Sequence, residues 1–281
     1  MKKQYANTYD NRKAPGDLNW SALLVEAVTK PGTISKAYTA FWRYSVGNQM
    51  LAMAQCAARG IEVGPLNSFN GWKKLGRKVK KGLDSDPLTG KKAIVLCFPT
   101  KKRIADDDNG DAQFITRFLY RPHWFVLSQT EGDDMPEVEV PGWDRKKALI
   151  ALDLREVDFT LTDGNVLGYA TQNGEIAINP IGEHKDATRF HELGHQVLGH
   201  CKEGSISDGE KLSRNIQEVE AESVSYILTT VLGVNGQADE SRGYIQNWLK
   251  DKAIPEKSCQ RIFAAANKIL KAGQETVEYK N

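Results

Sequence analysis

The run His191-Glu192-Leu193-Gly194-His195 places two imidazoles one helical turn apart. Residues i and i+4 of an α-helix lie about 40° apart around its axis, on one face. His191 and His195 can therefore offer ring nitrogens to one metal ion. Glu192 is too short to join them comfortably as a ligand. It is placed instead to take a proton from a water whose pKa the ion lowers. The chemistry is hydrolytic: the ion polarises a carbonyl, and Glu192 serves as general base and later as general acid. The bland alternative is a surface helix with two incidental histidines. Phe190, Leu193, Val197 and Leu198 argue against it, because they predict a half-buried helix.

Such a site needs a third ligand. His200 lies five residues beyond His195, about 140° around a continuing helix, so it is expected to cap the helix or to support a ligand. The segment Arg214–Tyr226, RNIQEVEAESVSY, offers Glu218, Glu220 and Glu222. Glu218 and Glu222 share a helical face. One can ligate while the other accepts a hydrogen bond from a ligating histidine and orients it. Glu220 is expected to point away into solvent. Taken alone, the acidic cluster reads as an ordinary wet helix face.

The elements that would position these groups follow from pattern. The spacing predicts a helix over about 186–200 and another over 214–232, with a last helix over 255–272. Strands over 166–171 and 175–179 flank Gln172-Asn173-Gly174, a hairpin signal. The second strand, Glu175–Asn179, is expected to bind a substrate backbone by adding it as a strand. A helix is expected around 145–152. Earlier in the chain, helices are expected over 20–29, 48–59 and 69–75, and strands over 93–98, 114–120 and 124–128. The first 15 or so residues read as a tail, Asp106–Asp111 as an acidic turn, and Glu131–Gly142 as a linker. The expected fold is α+β in two domains: a basic domain over 1–130, a linker over 131–145 and a hydrolytic domain over 146–281.

Charge divides along the same line. The net charge of the 281 residues is +2. Residues 1–130 hold 21 Lys and Arg against 10 Asp and Glu, a net of +11, and the rest of the chain is −9. A basic half suits a polyanion. Two stretches there combine aromatic and basic side chains. Trp42, Arg43 and Tyr44 end the aromatic run that begins at Tyr38. Trp72, Lys73, Lys74, Arg77, Lys78, Lys80 and Lys81 form the other. Aromatic faces stack unpaired bases and lysines track phosphates, which is how single strands are held without sequence preference. The competing reading makes the aromatics core and the lysines solvated surface. The +11 half speaks against an acidic mimic of DNA.

The four cysteines are widely spaced and form no CxxC pair, as in a reduced chain. The polar start MKKQYANTYDNRK shows no secretory signal and no apolar run is long enough to span a membrane, so the expected setting is the cytoplasm.

The order His-Glu-Leu-Gly-His, then Glu218-Val-Glu-Ala-Glu222, resembles the gluzincin pattern of metallopeptidases. That resemblance implies Glu218 as the third metal ligand and Glu222 as the acidic partner that orients a histidine. Gly168-Tyr169-Ala170 through His200 is similar to the ImmA/IrrE group of small bacterial metallopeptidases. Asn67 through Gly82, with Leu-Gly-Arg-Lys-Val-Lys-Lys-Gly, and Ser128-Gln-Thr-Glu-Gly132 resemble the N-terminal domain of ArdC-type antirestriction proteins. The stretch His-Trp-Phe-Val-Leu before Ser128 departs from that pattern, which has an Asp near the strand end. The family resemblance covers nearly the whole chain. It implies a zincin-like peptidase domain behind a domain that binds single-stranded DNA, and protection of incoming plasmid or phage DNA. The cofactor implied is Zn2+, with another divalent ion such as Mn2+ as the alternative. The implied partners are single-stranded DNA and an unidentified protein substrate. A different class of function is a DNA-binding protective protein whose metal site is structural or proteolytically inactive. A water-filled coordination position separates the two, since a structural site is closed by a fourth protein ligand.

Overall fold

The computed structural model describes residues 14–15, 18–83, 92–106, 112–135, 139–161, 165–201, 206–207, 210–211, 213–234 and 238–275. Most of the expected tail and most of the acidic turn over 106–111 lie outside them, as do residues 136–138 of the expected linker. The fold is α+β. Helices α1 (Trp20–Thr29), α2 (Thr33–Phe41) and α3 (Val46–Ala58) come first. Strand β1 (Leu66–Ser68), helix α4 (Phe69–Lys74) and strand β2 (Arg77–Val79) follow. Then come β3 (Ile94–Asp106), β4 (Ala112–Val126) and β5 (Thr130–Gly132). Helix α5 (Arg145–Leu152) leads to β6 (Arg155–Val157), β7 (Gly168–Ala170), β8 (Glu175–Ile178) and α6 (Lys185–Leu198). The pair β9 (Ile206–Ser207) and β10 (Glu210–Lys211) precedes α7 (Arg214–Leu232), α8 (Ala238–Asp251) and α9 (Glu256–Gly273). Among the described residues no helix is long and apolar enough to cross a membrane.

The chain folds as two compact units. One draws on Met1–Asn19 and Asn48–Pro136, the other on Trp20–Gly47 and Glu137–Asn281. Helices α1 and α2 thus pack with the C-terminal part of the chain rather than with the basic residues that follow them. The Glu256 carboxylate explains much of this placement. Its Oε1 accepts from the Trp20 amide at 2.7 Å and its Oε2 from the Ser21 amide at 2.9 Å, which satisfies donors left open at the start of α1.

In the first unit β4 lies between β1 and β3. Two expected strands, 114–120 and 124–128, are one strand here. Pro122 suggests a break, but the ladder runs past it by a bulge: Val95 faces Pro122, Ile94 faces Trp124, and His123 is the extra residue. Ile94, Val95, Leu96 and Val126 are fully buried, with Met50 and Leu51 of α3 also in the core. Two amides of α3 close the outer edge of β3. Asn48 donates to Cys97 O at 2.9 Å and accepts from Cys97 N at 2.8 Å, while Gln55 does the same for Val95 at 2.8 and 2.9 Å.

The two strings Leu75–Gly82 and Ser128–Gly132 meet in the β2–β5 pair, where Arg77 faces Gly132 and Val79 faces Thr130. Gly132 has φ +138, and a Cβ there would lie 2.7 Å from Gly76 O. The site therefore requires glycine.

In the second unit the sheet order is β6-β8-β7. Gly174, at φ +75, turns the expected hairpin between β7 and β8. The expectation that Glu175–Asn179 adds a substrate strand is corrected by this order. β8 is central, parallel to β6 on one side and antiparallel to β7 on the other. Its backbone groups are committed to those neighbours, and Arg155–Val157, which does not stand out in the sequence, supplies the second one. Helices α6 and α7 pack closely because Gly194 has no side chain. A Cβ there would lie 3.2 Å from Ala221 Cα and 3.3 Å from Ala221 O.

Candidate metal centre

Helix α6 turns His191 and His195 toward Glu218 and Glu222 of α7, while the Glu192 carboxylate lies beside Gly168 of β7. The close approach at Gly194 sets α7 so that Glu218 and Glu222, one turn apart, face the two imidazoles. His191 Nε2 and His195 Nε2 are 3.0 Å apart. Glu218 Oε2 lies 3.4 Å from the first and 3.6 Å from the second. These three residues form a group able to hold a metal ion, with ligand atoms all within 4.8 Å of one another. Ligands at about 2.0–2.1 Å from a tetrahedral ion sit roughly 3.3–3.4 Å apart. The observed triangle brackets that edge, so the donor set has the spacing to hold a divalent ion.

The far ring nitrogens are held as well. His191 Nδ1 meets Glu222 Oε2 at 2.9 Å. His195 Nδ1 meets His200 Nδ1 at 2.9 Å, and His200 Nε2 meets Glu220 Oε2 at 2.8 Å. A helix continued through residue 200 would put His200 on the wrong side. In the structure α6 ends at Leu198, and Gly199 takes the left-handed conformation at φ 78. That turn brings His200 back against His195, a supporting position. Glu220 corrects a second expectation. It is fully buried rather than solvated, because the face of α7 that carries it is enclosed, with Val219, Ala221 and Val224 also at 0% exposure. His200 pairs with its carboxylate, and an Arg261 guanidinium nitrogen lies 3.5 Å away.

The electrostatics demand positive charge at the centre. Burial disfavours the His191 cation, but hydrogen bonds to Glu218 and Glu222 outweigh it, and its pKa rises to about 10. Hydrogen bonds to the two histidines hold the Glu218 carboxyl far below the usual range. Burial works against the Glu222 carboxylate, but hydrogen bonds from His191 and Ser241 win and lower its pKa. Glu192 differs. It is 7% exposed, and burial raises its pKa above that of a free carboxyl. A proton-accepting carboxylate gains basicity from such a shift. Burial lowers the His200 pKa, which favours the neutral ring.

Helix α8, which does not stand out in the sequence, adds two residues. Ser241 is buried and bonds Glu222, and Tyr244 lies near enough to Glu218 and Glu222 for their charge to raise its pKa further above the rise caused by burial. Its sequence ADESRGYIQNWLKD is mostly polar and has Gly243 at its middle. Arg189 of α6 anchors the helix start, bonding Glu156 of β6 at 2.8 and 2.9 Å.

The residues proposed from sequence to contact DNA scatter. Trp42, Arg43 and Tyr44 follow α2 in the second unit, with the Arg43 guanidinium 5.2 Å from the Trp42 ring centroid. Trp72 is core: it is 1% exposed, and its indole N–H donates to Phe125 O at 2.7 Å. Arg77 is buried too, donating to Thr130 Oγ1 at 2.9 Å and to Gly132 O at 3.1 Å, with Asp133 O as a further acceptor. Lys73, Lys74, Lys78, Lys80 and Lys81 are exposed around α4 and β2. Lys80 donates to Ser128 O at 2.8 Å.

No protein-family model matches the chain, and no curated protein matches it. Among solved structures the chain is similar to the metal-free crystal structure of the antirestriction ArdC protein from the R388 plasmid. The TM-score is 0.50 at 18% identity, over 92% of this chain and 95% of that one. The Mn(II)-bound structure of the same protein matches with a TM-score of 0.48 at 16% identity, over 90% of this chain and 93% of that one. The likeness to the metal-free structure is one of fold.

Proposed function

We propose that this protein is a zinc-dependent peptidase of the antirestriction type, whose first unit binds single-stranded DNA. The observation that carries the reading is the triangle of His191 Nε2, His195 Nε2 and Glu218 Oε2, with the buried Glu192 between the histidines on the same helix. His191, His195 and Glu218 would hold the ion. Bound there, a divalent ion supplies Lewis acidity, polarising the scissile carbonyl and making water easier to deprotonate. Zn2+ suits two imidazoles and a carboxylate at this spacing, and Mn2+ is the alternative.

The remaining work falls to the chain's own residues. Glu192 accepts a proton from the attacking water and returns it to the leaving nitrogen, the task its raised pKa favours. Glu222 accepts from His191 Nδ1, which leaves Nε2 of that ring free to ligate. His200, bonded to Glu220, does the same for His195. The protein substrate is unidentified. The ArdC-like fold supports an antirestriction setting, in which DNA entering the cytoplasm on a plasmid or phage is protected. The exposed lysines around α4 and β2 and the net charge of +6 over the residues of the first unit, 18 Lys and Arg against 12 Asp and Glu, support the DNA-binding part of the reading.

Elemental analysis of the purified protein tests the centre. One equivalent of zinc is expected in the wild type and little in His191→Ala, His195→Ala and Glu218→Ala. Full occupancy in Glu218→Ala would move the ligand role to Glu222 or overturn the assignment.

A further inference from the structure

The aromatic residues proposed for base stacking are buried or lie in the other unit, yet the first unit does expose aromatic rings. They sit on the β3–β4 hairpin. β1 pairs with β4 only at Trp124, Phe125 and Val126, so from Pro122 back to Ala112 the paired partner of β4 is β3. The hairpin base is core, with Val95 and Leu96 at 0% exposure. Beyond Pro99 and Phe118 it carries exposed side chains on both faces. Phe118 is 57% exposed and Phe114 56%.

Strand alternation puts Phe114, Thr116 and Phe118 on one face, and the ladder fixes what stands beside them. Arg103 faces Phe114, Lys101 faces Thr116 and Pro99 faces Phe118. The two rings are four residues apart, about 13 Å along the strand. On the opposite face Lys102 stands across from Ile115, and Thr100 from Arg117. The sequence from Ala112 to Thr130 holds no acidic residue, and neither does 92–105.

Two half-exposed phenyl rings on a two-stranded arm are costly in water unless something covers them. Basic residues border them, so the complementary partner is an anion with flat apolar faces. A single-stranded nucleic acid is such a molecule, since its bases lie open to stacking and its phosphates are regularly spaced. We infer that the β3–β4 hairpin is a stacking platform for single-stranded DNA, with Phe114 and Phe118 under unpaired bases and Lys101 and Arg103, on the same face, on the phosphates. The inference rests on the reading of the first unit as a single-strand binder and gives it residues. Duplex DNA is a poor occupant, because its bases are already stacked on one another.

The test uses the full-length protein and a fluorescein-labelled oligothymidylate, with affinity measured across a salt series. Phe114→Ala/Phe118→Ala is expected to bind at least about tenfold more weakly, with the wild-type salt slope, because stacking is uncharged. Phe114→Leu/Phe118→Leu keeps apolar bulk without the ring and is expected to be equally weak. Lys101→Ala/Arg103→Ala is expected to flatten the slope by about 0.7 for each phosphate no longer neutralised. Unaltered melting temperatures establish that these exposed substitutions leave the fold intact. If the wild-type protein binds the oligonucleotide and the phenylalanine variants bind equally well, the platform is overturned while the single-strand reading stands, and the rings then serve a protein partner. Recovery of wild-type affinity in the leucine variant overturns stacking in favour of simple apolar contact. No binding by the wild type at low salt overturns the single-strand reading and the platform together.

Discussion

His200 Nε2 lies 2.8 Å from Glu220 Oε2, with the His200 side chain 3% exposed and that of Glu220 fully enclosed. This pair sits behind His195, whose Nδ1 meets the other nitrogen of the His200 ring. A carboxylate can only accept, so His200 carries its proton on Nε2 and must accept at Nδ1. His195 is thereby held with its proton on Nδ1 and its lone pair on Nε2, facing Glu218 and His191. Glu220→Gln turns an obligate acceptor into a group that can donate, which allows the opposite tautomer throughout. We expect metal affinity to fall by about 10–100-fold while the protein remains folded. Competition with a chromogenic chelator measures the first and circular dichroism the second.

Proton release should accompany metal binding. The His191 pKa is raised from 6.5 to about 10 in the metal-free protein, so at neutral pH an incoming ion must displace a proton from it. Affinity is then expected to rise with pH. Calorimetry at pH 7 in buffers of different ionisation enthalpy should report about one proton released per ion from this site. Stability carries the matching sign. Because the folded-state pKa is the higher one, the contribution of His191 to the metal-free protein is complete below about 6.5 and is lost as pH rises through about 10. Thermal melts of chelator-treated protein from pH 6 to 10 should show the decline, and metal-loaded protein should not share it. A flat profile without metal would contradict the charge assignment.

Glu192→Gln separates a hydrolytic centre from a structural one. The amide is nearly isosteric and cannot take the proton of water. Metal content should stay at the wild-type level while cleavage of a peptide library, scored by mass spectrometry, drops by at least about 100-fold. Equal cleavage by the variant and the wild type would rule out Glu192 as the base.

Gly194 sets the distance between the two ligand-bearing helices. An alanine Cβ would press on Ala221 Cα and O at 3.2 and 3.3 Å, and backbone cannot swing aside as a side chain can. Gly194→Val should cost about 1–3 kcal/mol by overpacking. It should also lower zinc occupancy, since α7 must retreat and carry Glu218 with it. Urea titration and elemental analysis read the two effects.

Trp72→Ala should act on stability rather than on DNA contact. The side chain is buried and its N–H satisfies Phe125 O, so the loss is expected at about 3–5 kcal/mol. A lowered melting transition with any loss of binding confined to unfolded protein would fit. A selective binding defect in a variant of wild-type stability would not.

Much of the second unit is legible in its sequence because residues that cap or break a helix stand at its helix ends, Pro31-Gly32 after α1, Asp144 before α5 and Gly233 after α7. α1, α5 and α7 fall on the expected boundaries, and the Asn-Gly hairpin is where its turn residues put it. The four-residue spacing of His191 and His195 is by itself enough to give the pair a shared face. Burial of polar groups is what the sequence hides. Glu220 looks like one more acid on a wet helix, and its partners His200 and Arg261 stand 20 and 41 positions away. Trp72 and Arg77 look like a basic, aromatic surface, and only the packing of β2 against β5 and α4 against β4 turns both inward. Phe114 and Phe118 fail in the reverse sense. They lie in an expected strand whose pattern does not tell a covered ring from a bare one, and the hairpin carries them past the sheet that would cover them.

The two amides that close the edge of β3 also bear on how this chain avoids its own worst association. Ile94–Phe98 is a run of five apolar residues with high strand propensity, the kind of segment that templates intermolecular β-stacking when its edge is bare. Asn48 and Gln55 hold the outward N–H and C=O groups of Val95 and Cys97 in four hydrogen bonds. A helix thereby does the work of a neighbouring strand and offers no further edge. Until α3 docks, the nascent β3 is open to any other copy emerging beside it, so the docking of this one helix marks the point in folding at which the segment ceases to be an aggregation hazard.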